Sequence, residues 1–180
     1  MKQKQLIWTT VLGTAICILI AIVFFGTDFL NPERPPIYLL TLGFAGSLSL
    51  ALLRSQKLRD VIYINILIYF VFAILSTFIK PITAAVLLIY YVAMLIAIYI
   101  HVRNFDRKLS HIAFARPLVL AALVGVLYIA ANFIHNLMFI SKFEIGFLLR
   151  NMPIGFLLGL GQGIGGEICD RYVIKAETSV

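Results

Sequence analysis

The stretch ITAAVLLIYYVAMLIAIYIH, from Ile82 to His101, decides the fold of this chain. Over its 20 residues it contains no Asp, Glu, Lys or Arg. A helix of that length is about 30 Å long, which is the thickness of the hydrocarbon core of a bilayer. We therefore predict that this stretch is a transmembrane helix.

Further apolar stretches of the chain have roughly the 17–25 residues that a transmembrane helix needs. The six predicted spans are Leu6–Phe25, Ile37–Leu53, Val61–Ile79, Ile82–His101, Pro117–Ile140 and Ile145–Gly166. The first is longer than the core of a signal peptide, about 7–15 residues, so we interpret it as a span. The connections are short, so neighbouring helices are expected to be antiparallel. The sequence thus predicts an all-α, polytopic membrane protein, a single compact bundle over residues 1–180.

The composition excludes a water-soluble domain. Hydrophobic residues make up 62% of the chain and charged residues only 13%, and the mean hydropathy is +1.01. The formal charge of +7 lies in short gaps between apolar stretches and not along one folded surface. We therefore predict the lipid bilayer as the main partner and no nucleic-acid interface.

The cations also predict the orientation in the membrane, because Lys and Arg are retained on the cytoplasmic side. One set of alternate gaps holds only Arg34, Lys80 and Lys142. The other set holds Lys2, Lys4, Arg54, Lys57, Arg59, Arg103, Arg107, Lys108, Arg116, Arg171 and Lys175. We expect a multi-pass protein of the cell membrane, with both termini cytoplasmic.

Polar side chains near the outer face of the predicted bundle suggest a binding pocket, since such groups are costly in hydrocarbon. The predicted substrate-binding residues are Tyr128, Asn132, His135 and Asn136 on one face of span five, with Arg150 and Asn151 on span six. His135 and Arg150 are expected some 8–9 Å below the outer surface. A guanidinium beside amide and imidazole groups suits an anionic or carboxylate-bearing small molecule. Alternatively, Arg150 pairs with Glu144 and the asparagines only join helices.

Span six also carries Pro153 and a row of glycines. Pro153 is expected to kink or break the helix, and the segment Gly159–Gly166 to be partly unwound. The glycines at intervals of four, Gly155, Gly159 and Gly163, predict close helix packing. The string GQGIGG lacks the strand and βαβ unit of a nucleotide-binding loop, so we reject that interpretation.

Two further patterns each leave two interpretations open. A small-residue row on span one, formed by Gly13, Cys17 and Ala21, faces either another span or another subunit. Tyr69, Tyr90 and Tyr91 lie near the predicted midplane, where they either line a cavity or bond to backbone carbonyls.

The longest cytoplasmic gap, from Val102 to Arg116, is expected to form a short helix lying flat on the membrane. Its apolar and basic residues fall on opposite helical faces. The gap is either a topology anchor or, through Arg103, Arg107 and Lys108, a docking surface for a membrane or cytoplasmic partner protein.

Enzymatic chemistry is disfavoured by the placement of the titratable residues. All eight carboxylates fall in gaps or at span ends, and the three histidines do not cluster. We therefore predict no catalytic residue, no metal site, no cofactor and no enzymatic activity.

In its size, six-span layout, basic cytoplasmic loops and outer polar pocket, the chain resembles the substrate-binding components of energy-coupling-factor vitamin importers. The row of Gly13, Cys17 and Ala21 is similar to the alanine-based docking surface of that family. The resemblance implies small-molecule transport with a separate membrane coupling protein and cytoplasmic ATPases, and it assigns no vitamin-binding residue. The alternatives are a non-catalytic structural or sensory module and, less favoured, a channel or lipid-handling protein.

Overall fold

The structure is a computed structural model that describes residues 2–25, 37–56, 58–77, 82–112, 114–140 and 145–174. Within these ranges the chain forms six α helices and no strand. The helices are α1 (Lys2–Phe25), α2 (Ile37–Ser55), α3 (Leu58–Thr77), α4 (Ile82–Asn104), α5 (Ala115–His135) and α6 (Ile145–Ile168). Two π-helical segments, Asn136–Ile140 and Cys169–Ile174, prolong α5 and α6. The predicted all-α fold is confirmed.

Three of the described helices are long and apolar enough to cross a membrane. They are α1 over Gln3–Phe24, α4 over Val86–Asn104 and α5 over Ala115–Met138, and α2 holds a shorter apolar stretch over Thr41–Arg54. Large apolar side chains are also exposed on the outside of the bundle, on α1, α3, α4 and α5. Such a surface is unfavourable in water and suits a hydrocarbon solvent.

The central helix of the bundle is α6, which packs against α5 on one face and α1 on another. Gly159 faces α5, where an added Cβ would lie 2.8 Å from the Cα of Ala121. Gly165 faces α1, where an added Cβ would overlap the backbone of Gly13. These glycines therefore allow the backbones to approach more closely than any side chain would permit.

The other small residues of α6 and α1 lie in the same contacts. Gly155 and Gly163 of α6 pack against Tyr128 and Pro117 of α5. On α1, Cys17 is buried and lies next to Gly161 of α6. The small-residue row of α1 thus faces α2 and α6 of its own chain and is not an exposed surface for a second subunit.

The break and the unwinding expected in α6 are wrong, while the kink expected at Pro153 stays a prediction. The segment is α-helical from Ile145 through Pro153 to Ile168, and the glycines from Gly159 to Gly166 are helical too. Proline and glycine are tolerated within membrane helices where neighbouring helices hold the backbone. Here α6 is packed closely against both α1 and α5, and these two helices hold its backbone.

The expected surface helix between Val102 and Arg116 is also wrong. Helix α4 continues to Asn104, and hydrogen-bonded turns follow over 105–111. The backbone N–H groups of Phe105 and Asp106 both donate to the carbonyl of His101, which ends the regular helix. The Asp106 carboxylate pairs with Arg54 of α2, so this gap is tied to the bundle at that residue.

The central position of α6 predicts that Gly165→Ala destabilises the fold, although alanine is the better helix former by about 1 kcal/mol. The new methyl group has to displace the backbone of Gly13, and such overpacking costs typically about 1–3 kcal/mol. The measurement is thermal unfolding of the protein in detergent. Gly125→Ala is the matched control, because its added Cβ lies 3.4 Å from Phe156 and fits. Equal unfolding temperatures for the two variants would contradict the close α1–α6 contact.

Candidate functional site

The predicted polar residues of span five lie against α4, where they meet Tyr90. We call the group formed by Tyr90, Tyr128, Asn132, His135 and Asn136 the α4–α5 polar cluster. Position 132 is four residues from 128, three from 135 and four from 136, each about one helical turn, so these four positions share one face of the helix. The cluster lies at the end of α5 that is remote from Ala115, where the backbone passes from α-helical to π-helical.

Tyr90 connects the two helices. Its hydroxyl donates a hydrogen bond to Oδ1 of Asn132 and lies 3.3 Å from Nδ1 of His135. Its ring lies 5.1 Å from the ring of Tyr128, centroid to centroid. The interaction between Tyr90 and Asn132 joins α4 to α5, which is the helix-joining role that polar residues often have in membranes.

No hydrogen bond of this kind among the described residues explains why Asn136 and Tyr128 are buried. Each is only 2% exposed. Neither amide atom of Asn136, nor the hydroxyl of Tyr128, has a hydrogen-bond partner within the described part of the chain. A buried polar group without a partner costs about 1–3 kcal/mol. Unpartnered buried atoms also occur elsewhere in the bundle, for example Thr9 Oγ1 and Gln162 Oε1, but only the α4–α5 polar cluster coincides with the binding residues predicted from the sequence.

The local backbone positions Asn136 for such a role. Its N–H donates to the carbonyls of both Asn132 and Phe133, and the π-helical segment begins at this residue. Single π-helical turns are rare and frequently occur at functional sites, because they rotate the following side chains relative to a regular helix. Gly155 of α6 leaves the room that the Tyr128 ring fills, since an added Cβ would lie 2.5 Å from Cγ of that ring.

The remaining predicted site residues are Arg150 and Asn151. Their backbone belongs to α6, while their side chains, like Glu144, lie outside the described residues. The structure therefore brings together Tyr128, Asn132 and His135 with Tyr90, and leaves the position of the Arg150 guanidinium as a prediction.

The opposite end of the bundle holds a buried group of charges that the sequence analysis did not predict. We call it the ionic network, and it contains Arg54, His101, Asp106, Arg116, Glu167 and Asp170. These residues come from α2, α4, the turns after α4, α5, α6 and the segment after α6. Gln5 of α1 also donates a hydrogen bond to Asp170. The network thus joins the ends of every described helix except α3.

Two arginines form the centre of the ionic network. Arg54 lies 2.5 Å from Asp106 and 3.3 Å from Asp170. Arg116 lies 2.5 Å from Glu167 and 2.9 Å from Asp170. Both guanidinium groups are almost fully buried, so each charge depends on its carboxylate partners and not on water.

Asp106 is ionised in this network. Its burial alone would raise the carboxyl pKa, but a hydrogen bond with His101 and the charges of Arg54 and Arg116 hold the pKa well below its usual range. The signal in the sequence was the placement of acids at two span ends on the same side as Arg54 and Arg116, with Asp106 after span four and Glu167 and Asp170 after span six. A count of charges explains Arg54 and Arg116 only as residues that orient the protein in the membrane, because it cannot show which helix ends lie next to each other.

The ionic network predicts that the protein is destabilised in acid. Because the folded-state pKa of Asp106 lies below the unfolded value of about 3.9, its stabilisation is present above that pH and is lost as pH falls through the folded-state pKa. Asp106→Asn is expected to lose about 3 kcal/mol at neutral pH, since it breaks a buried pair. Unfolding temperature against pH measures both effects.

The matched control for this experiment is Asp60→Asn. Asp60 pairs with Arg59 at 3.5 Å, but both side chains are exposed, and such pairs contribute about 0–1 kcal/mol. If Asp60→Asn lowers the unfolding temperature as much as Asp106→Asn does, the ionic network does not hold the helix ends together.

Comparisons with known proteins provide no relative from which to assign a function. No family model matches the chain, and no curated protein or solved structure matches it either. Evidence on function therefore comes from the α4–α5 polar cluster, the ionic network and the surface of the bundle.

Proposed function

We propose that this chain is an integral membrane protein that crosses the cell membrane six times, with both ends in the cytoplasm. The even number of helices supports this topology, and so does the contact between Gln5 near the start of α1 and Asp170 after α6. The cations of the ionic network lie at the same end of the bundle, as expected for a cytoplasmic face.

Topology is tested with reporter fusions to the two chain ends. Both ends are expected to be active with a reporter that functions only in the cytoplasm, and inactive with one that functions only outside. A fusion in the gap between α5 and α6 is the control and should give the reverse pattern. Chain ends on opposite sides of the membrane would contradict the proposal.

Within that topology we propose that the α4–α5 polar cluster binds a small molecule from the outer side. The observation that carries this proposal is the buried Asn136 amide, which has no hydrogen-bond partner in the described part of the chain. A ligand that reaches Asn136 and Tyr128 would supply such a partner.

The chemistry of the cluster defines the ligand class. The Asn136 amide both donates and accepts hydrogen bonds, and the Tyr128 hydroxyl does the same. His135 is half-buried and lies beside Tyr90. These groups suit a small polar molecule with carbonyl, hydroxyl or amide groups. If the Arg150 guanidinium extends to the cluster, a carboxylate-bearing ligand is favoured.

A transport role agrees with the resemblance to substrate-binding components of energy-coupling-factor importers. Such a role requires a separate coupling protein and ATPases. The small-residue row of α1 cannot be the docking surface for that partner, because Gly13 and Cys17 are packed against α2 and α6. Any coupling protein would have to contact another face of this bundle.

A second candidate is a non-catalytic structural or sensory module. The observation that favours it is the group of exposed cations Arg103, Arg107 and Lys108, next to the ionic network that ties the helix ends together. A protein or lipid surface that binds these cations would act on that network. Cysteines introduced at 132, 136 and 151 that resist water-soluble thiol reagents from outside would favour this module over the binding site.

The binding site is tested by a thermal-shift screen of polar metabolites against the purified protein, followed by variants. Asn136→Leu is expected to abolish binding while raising the stability of the ligand-free protein by about 1–3 kcal/mol, because it removes a buried amide without partners. Tyr128→Phe should weaken binding about tenfold and also raise the stability of the ligand-free protein, because it removes a buried hydroxyl that has no partner among the described residues. If Asn136 and Tyr128 had a purely structural role, both variants would instead lower the stability of the ligand-free protein.

The matched control is Tyr63→Phe, which removes a hydroxyl from an exposed tyrosine of α3. It should change neither binding nor stability. Arg150→Ala and His135→Ala test the charge of the ligand and the extent of the site. Unchanged affinity in both variants would contradict the proposed pocket.

A further inference from the structure

A groove between α3 and α4 is separate from the α4–α5 polar cluster and has no assigned role. It encloses about 380 Å³, a volume typical of ligand sites. Its walls run from Leu58 to Phe70 on α3 and from Leu88 to Tyr99 on α4. At about 1.5 Å per residue both walls are about 16–18 Å long, close to one leaflet of a hydrocarbon core about 30 Å thick.

The amide at the floor of the groove, Asn65, is hydrogen-bonded within the bundle. Its oxygen accepts hydrogen bonds from Ser49 and Tyr91, each at 2.6 Å. Its amide nitrogen donates to the carbonyl of Val61 at 2.8 Å. The side chains around this residue are almost all hydrocarbon. A peptide or a polar metabolite would lose its hydrogen bonds in the groove, whereas an aliphatic chain loses none.

One end of the groove, lined by Leu58 and Tyr99, lies toward the end of the bundle that holds the ionic network, and we call it the opening. Tyr99 lines this opening, and Arg103 lies one turn further along α4. The Arg103 guanidinium donates a hydrogen bond of 2.8 Å to the Tyr99 hydroxyl and lies 5.9 Å from the centre of its ring. Arg59 stands on the α3 side of the opening but pairs with Asp60.

The charge of Arg103 is therefore available at this opening. Its side chain is exposed, and among the described residues its hydrogen-bond partner is the neutral Tyr99 hydroxyl and not a carboxylate. Basic residues that border a groove between membrane helices on the cytoplasmic side are a recurrent means of binding anionic lipid headgroups.

We propose that the groove binds one acyl chain of an anionic phospholipid from the cytoplasmic leaflet, with the phosphate group at Arg103. The apolar floor and the length of the groove fit the chain, and the cation at its opening fits the headgroup. This site is independent of the small-molecule site and rests only on the proposed placement of the bundle in the membrane.

The test uses the full chain, delipidated in neutral detergent, with phosphatidylglycerol or phosphatidylcholine of identical acyl chains. Native mass spectrometry counts bound lipid, and the shift in unfolding temperature measures affinity. One phosphatidylglycerol is expected per chain, bound about fivefold more tightly than phosphatidylcholine, the factor expected for one cation near an anionic headgroup. Glycerol phosphate, which has the headgroup without acyl chains, should not bind.

Two variants separate the chain from the headgroup. Arg103→Gln should reduce binding of phosphatidylglycerol to the level of phosphatidylcholine and leave the latter unchanged. Val92→Trp, at a partly exposed position on the wall of the groove, should displace both lipids. Arg107→Gln and Val126→Trp are the matched controls, since both residues are exposed and neither lines the groove.

Equal binding of the two lipids by the unmodified protein would overturn the proposal. So would a preference for phosphatidylglycerol that survives Arg103→Gln, or lipid binding that survives Val92→Trp. A dimer that Val92→Trp dissociates would assign the groove to a second copy of the chain. None of these outcomes depends on Asn136 or Tyr128, so failure here and failure of the small-molecule site are distinguishable.

Discussion

The close approach of α6 to α1 and α5 is the constraint on which the rest of the structure depends. Lipid tails are as apolar as leucine, so helices in a membrane associate through van der Waals contact and polar groups instead of hydrophobic burial. Glycines on two faces of α6 let its backbone touch two neighbours, and the Gly13–Gly165 contact has no room for a side chain. The polar groups of the bundle are held in fixed positions as a result.

The buried polar groups at the two ends of the bundle differ in the partners that they have. At one end, the buried charges of Arg54 and Arg116 are paired with carboxylates. At the other end, Tyr90 donates a hydrogen bond to Asn132, while Asn136 and Tyr128 have no side-chain hydrogen-bond partner among the described residues. The first arrangement holds helix ends together, and the second is typical of a site that a ligand completes.

Helix α3 stands apart from this framework. Among the described residues the ionic network includes none of α3, and one polar anchor of this helix is Asn65, which bonds to Ser49 of α2 and Tyr91 of α4. The groove lies beside Asn65, where many of the large apolar side chains of α3 face outward. A lipid chain in the groove would complete the packing of α3 against α4.

The sequence by itself determined the helical class, the positions of the helices to within a few residues, and the shared face of Tyr128, Asn132, His135 and Asn136. These follow from local periodicity and from the length of apolar stretches. Only the tertiary structure decided that Tyr90 of α4 contacts that face. It also decided that α6 stays helical through Pro153. It placed Asp106 in a turn that pairs with Arg54, where the sequence predicted a surface helix. Each of these depends on contacts between residues far apart in the chain, and composition and spacing carry no information about which helix ends meet.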